Sequence, residues 1–112
     1  MTSPAVSLQN WFFAVDDVDN IGSDVMVFAT SPTGFATGAT GTPVTKGVDP
    51  NLDTYLAAIT PHPPTGMTRY WWSLLIGPGQ TISPARGTSK IYGQLTAAPG
   101  KPVYDWTITI RN

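Results

Sequence analysis

Cysteine is missing from all 112 residues. That removes any cysteine nucleophile, and the redox compartment cannot be read from this chain. Glutamate is missing too: all seven acids are aspartate. Only 12% of residues are charged, about half the usual share of a globular domain. With a net charge of −1 there is no basic face to neutralise phosphates, which argues against a nucleic-acid partner. No run of about 18 apolar residues is present, so no membrane span is expected. No charged-then-apolar leader follows Met1. The expectation is a chain made in a cytoplasm that stays there or leaves without a cleaved signal. The catalytic patterns G-x-S-x-G and H-E-x-x-H are absent, and Gly87-Thr88-Ser89-Lys90 does not complete a phosphate loop. A non-enzymatic protein without a cofactor is expected.

What is present favours strands. Gly and Pro number eleven each. Thr, Val, Ile and aromatics fill the periodic segments, while strong helix formers are scarce. A length of 112 residues suits one domain with a core large enough to need neither metal nor disulfide. Val6 to Val18 reads as a first strand pair or one long strand, with Trp11, Phe13 and Val15 on one face. Asp19 to Ser23 is a turn, and Asp24 to Thr30 a second strand, which together suggest a hairpin. Ser31 to Pro43 repeats Thr-Gly three times and reads as a mobile or partner-ordered loop around one edge strand. Leu52 to Thr60 suits a strand or two helical turns, ended by Pro61, Pro63 and Pro64. Thr68 to Gly77, Thr88 to Ala97 and Val103 to Arg111 complete the strands. About seven short strands at turn-marked intervals predict an all-β, Ig-like antiparallel sandwich spanning residues 1–112.

Alternation along a strand separates Trp71 from Trp72. Tyr70, Trp72, Leu74 and Ile76 form an apolar face, so Trp72 enters the core and Trp71 points outward beside Arg69 and Ser73. In the last strand, Tyr104, Trp106, Ile108 and Ile110 face inward by the same rule. An outward Trp beside an Arg suits a protein–protein anchor or a sugar-stacking platform, or a Trp covered by its own Pro-rich loop. Arg69, Trp71, Phe35 and His62 are the partner-binding candidates. His62 stands alone between prolines, with no nucleophile pattern to serve as base for. Asp16, Asp17, Asp19 and Asp24 cluster with Asn20 as calcium ligands do, but an EF-hand count from Asp17 puts Ile21 fifth and Phe28 twelfth. A solvated acidic turn accounts for them, and no metal site is assigned.

The stretch from Arg69 to Ile110 carries a further pattern. An aromatic strand ends in Gly77-Pro78-Gly79; Thr81 and Gly87 follow. Then come Tyr92, Gln94-Leu95-Thr96, a turn with Pro99, Pro102-Val103, and a closing strand from Thr107 to Ile110. This layout, over about 40 residues, resembles small Ig-like structural proteins of tailed bacteriophages, especially those of actinobacteria. It departs from them where an acid pair usually flanks the first Pro of the turn; Ala97-Ala98 and Gly100-Lys101 stand here. The resemblance implies a virion structural protein assembled in the host cytoplasm. A capsid decoration or cement subunit comes first, a head–tail or tail component second. Its partners would be the major capsid protein or other virion subunits, with homo-oligomers on the particle. The alternative is a lectin-like carbohydrate-binding module built on Trp71 and the acidic turn.

Overall fold

The computed structural model describes residues 7–44, 55–57, 65–97 and 100–111. The fold is all-β. Its strands are β1 (Gln9–Asp17), β2 (Met26–Ala29), β3 (Ala39–Pro43), β4 (Tyr55–Ala57), β5 (Thr68–Ile76), β6 (Gly87–Leu95) and β7 (Tyr104–Ile110), with one 3-10 turn at Phe35–Thr37. They form a single sheet in the order β4-β1-β5-β3-β2-β6-β7. The sheet curls until its two edges, β4 and β7, approach each other. The two layers of the expected sandwich are therefore halves of one continuous sheet. All ladders are antiparallel except β1–β4, which is parallel. Among the described residues no helix is long and apolar enough to cross a membrane.

The longest ladder joins β1 and β5, from Gln9↔Ile76 to Asp17↔Thr68. Both strands alternate as their sequences dictate. Trp11, Phe13 and Val15 are buried from β1, and Tyr70, Trp72, Leu74 and Ile76 from β5. Trp106, Ile108 and Ile110 are buried from β7, while Asp105, Thr107 and Thr109 face water. At the centre of the core, the Phe13 ring lies 4.6 Å from Phe28 and 5.0 Å from Trp106, centroid to centroid. These rings come from β1, β2 and β7, so both halves of the sheet close on one cluster. Offset and edge-on ring pairs of this kind add to the gain from burial alone.

Two expectations about connections are corrected. The Asp19–Ser23 turn forms: the Asp19 N–H bonds to Asp17 Oδ1 at 2.9 Å. Yet β1 and β2 do not make a hairpin, since β1 lies between β4 and β5 and β2 between β3 and β6. The physical reason is Ile21, only 2% exposed. It enters the core and carries the chain from one half of the sheet to the other. The Thr/Gly-rich segment is corrected as well. Its second part is β3, an interior strand that pairs with β2 through Ala39–Gly41 and with β5 through Thr42 and Pro43. Gly41 is there for space: a Cβ at that position would run into the Phe28 ring. Gly93 in β6 does the same for Trp106, whose ring lies 2.8 Å from where a Cβ would stand. Residues 61–64, and His62 with them, lie outside the described residues, as does most of 52–60.

Candidate functional site

The outward row of β5 is Arg69, Trp71, Ser73 and Leu75. Across the ladder stand Asp16, Ala14, Phe12 and Asn10 of β1, in that order. Beyond Phe12, β4 contributes Leu56. This is the outer face of two interior strands, and large apolar side chains lie on it beside polar ones. Leu56 is 37% exposed and Leu75 43% exposed, while Phe12 and Trp71 are half-buried. Ala14 is 1% exposed although it points outward. Its directly opposed neighbour, Trp71, is the side chain large enough to cover it. The predicted division thus holds in the structure: Trp72 is fully buried and Trp71 is not.

Arg69 has a different task from the one its neighbourship with Trp71 suggests. Its Nε and Nη2 donate to Asp16 Oδ1 and Oδ2 at 2.7 and 2.9 Å. This two-bond fork is the strong form of the ion pair, and both side chains are about nine-tenths buried, at 12% and 10% exposure. The hydrogen bonds it donates to Asp16 raise the guanidinium pKa above its already high ordinary value. Arg69 therefore braces the rim of the apolar face. The two residues are 53 apart in sequence, and nothing local signals the pairing. Phe35 is half-buried in the 3-10 turn that packs beside β2, in the other half of the sheet from β1 and β5.

Three of the four aspartates of the acidic cluster divide between two cations. Asp16 belongs to Arg69. Asp17 and Asp19 converge on Lys101, whose Nζ lies 3.0 Å from Asp17 Oδ2 and 2.6 Å from Asp19 Oδ2. The place a cation would take between these carboxylates is filled by an ammonium of the chain itself. Burial alone would raise the Asp17 pKa. The Asp19 N–H and Lys101 outweigh it and hold the carboxyl below its ordinary value. Lys101 is raised in turn, chiefly by its hydrogen bonds to Asp19 and Asp17. No group of three or more metal-ligating side chains occurs among the described residues.

What fold and site define, among the described residues, is a seven-stranded all-β sheet whose outer face groups Phe12, Leu56, Trp71 and Leu75 beside a neutralised ion pair. Neither a family model, nor a curated protein, nor a solved structure matches the chain.

Proposed function

We propose that this chain is a non-enzymatic structural subunit of a bacteriophage particle. A capsid decoration subunit is the first reading, and a head–tail or tail component the second within the same class. The observation that carries it is the outer face of β1 and β5. Phe12, Trp71, Leu56 and Leu75 share that face, and among the described residues its charges, Asp16 and Arg69, neutralise each other. A large ring beside aliphatic side chains, with no net charge, suits close repeated contact between protein subunits. Like charges would accumulate on a surface copied many times. The likeness of residues 69–110 to phage structural proteins supports the class, and the low overall charge agrees with it.

Docking is expected against the major capsid protein or a neighbouring virion subunit, with copies arranged by the symmetry of the particle. Sedimentation of the purified chain with assembled capsids tests this. Saturable binding at a symmetric stoichiometry is expected. Trp71→Ala should lower affinity at least about 30-fold, the effect of losing an interface anchor worth about 2 kcal/mol, with the fold intact by circular dichroism. Absence of binding to any capsid or tail assembly, or neighbouring genes with no capsid, portal or tail function, would overturn the proposal.

A further inference from the structure

β3 belongs to two ladders. Continuing its register with β5 beyond Thr42↔Ser73 would set Thr40 against Leu75, but the strands have parted there and β3 pairs with β2 instead. The parting opens a groove of about 530 Å³ between β3, the end of β5 and the turn that follows it. That is within the roughly 300–1,000 Å³ of small-molecule sites.

The polar lining is Asn10, Thr40, Thr42, Ser73, Gln80 and Thr81, with small and aliphatic residues between them. Every one is a hydroxyl or a carboxamide, able both to donate and to accept. No Asp, Lys, Arg or His lines the groove among the described residues. Among the described residues the Ser73 hydroxyl donates to the Thr42 carbonyl alone, at 3.5 Å. The main chain adds to this set. Trp71 accepts a bond from the Val44 N–H at 2.9 Å on its β3 side. By antiparallel alternation Leu75 turns its N–H and C=O to that side too, into the groove. Phe12 stands directly across the ladder from Ser73, and Trp71 follows on the same outward row.

We propose that this groove binds a neutral saccharide. An anionic ligand would find no cation in it, and a lipid or apolar helix would find too many hydroxyls. A peptide strand inserted between β3 and β5 would need rails about 10 Å apart along its length, whereas this groove closes at the Thr42–Ser73 pair. A pyranose matches what remains: its hydroxyls meet the hydroxyl and carboxamide groups, and its apolar ring face meets the aliphatic lining at Ala39 and Leu75. The inference does not rest on the virion reading.

A glycan array of neutral and acidic sugars, followed by NMR titration of the full chain, tests it. Methyl glycosides of glucose, galactose, mannose and N-acetylglucosamine serve as soluble probes. At least one neutral sugar should shift the amides of Thr40, Ser73, Leu75 and Gln80 saturably. Gln80→Ala and Thr81→Val should each weaken that binding about tenfold, the loss of one good hydrogen bond, with the melting temperature unchanged. Gln80→Ala should leave capsid docking untouched, so the two activities fail separately. No neutral-sugar binding, binding of acidic sugars alone, or saturable shifts mapping elsewhere would each overturn the proposal.

Discussion

Three buried tryptophans each have a partner for the indole N–H. Trp11 donates to Gln9 Oε1 at 3.1 Å, Trp72 to the Asp24 carbonyl at 2.7 Å, and Trp106 to the Ala14 carbonyl at 2.9 Å. An unpaired indole N–H in this core would cost about as much as a lost hydrogen bond. Trp72 thus combines complete burial with a bond that holds the turn at Asp24 onto β5. Trp72→Ala should cost about 3–5 kcal/mol. Trp71→Ala should cost no more than about 1–2 kcal/mol, because part of its surface is already in water. Urea denaturation of both variants checks this, and equal large losses would contradict the assignment of faces. Gly41 makes the opposite case, where adding atoms does the harm. Gly41→Ala would press a methyl into the Phe28 ring and should cost about 1–3 kcal/mol by overpacking. A melting temperature equal to the parent's would show that the ring can yield.

At the scale of elements, Lys101 fastens the β6–β7 connection to the end of β1 and the turn after it. The pH dependence of that tether has a definite sign. Asp17 is held below its ordinary value of 3.8, so its contribution is present above that pH and lost as pH falls through the lowered folded value. Lys101 is held above its ordinary value of 10.5, so its contribution is complete below that pH and lost on the alkaline side. Lys101→Gln should therefore lower the melting temperature at neutral pH and flatten its fall at both extremes. Parallel curves for the two proteins across the whole range would refute the tether. Millimolar calcium should leave the melting temperature of the parent unchanged, since an ammonium already sits between the carboxylates. A rise abolished by Asp19→Asn would reverse that conclusion. Elements of this kind divide by how much the sequence shows of them. β5 and β7 are legible because a one-sided burial pattern must appear as alternation. β3 is not, because its pattern is of absences: Gly41 is selected by a ring on another strand. Ile21 and Ile82 are each 2% exposed, yet as single isoleucines within turns they have no period to betray them. Trp71 announced the outer face, whereas the Asp16–Arg69 fork and the groove beside β3 depend on residues brought together only by the curl of the sheet.

For the molecule as a whole, the curl decides how it comes apart. β4, β1 and β5 form one half of the sheet, β2, β6 and β7 the other, and β3 is the strand hydrogen-bonded to both. Neither half has a core of its own. Phe13 from the first half packs on Phe28 and Trp106 from the second, and the Trp106 N–H reaches back to Ala14. Separating the halves would expose the central aromatic cluster in one step, so no stable half-unfolded form is expected. Unfolding should be a single transition, with tryptophan fluorescence and far-ultraviolet circular dichroism changing together and the calorimetric enthalpy equal to the van't Hoff value. Removing residues 39–43 should abolish folding altogether, because it deletes the shared strand and releases the Phe28 ring from beneath Gly41. The outer face behaves differently. Trp71→Ala leaves both halves joined and should keep the single transition intact while lowering affinity for capsids. If the 39–43 deletion instead leaves a folded domain with coincident transitions, β3 is a dispensable loop and the joined-sheet account fails. If fluorescence and circular dichroism separate in the parent protein, the halves are independent units and the common core does not couple them.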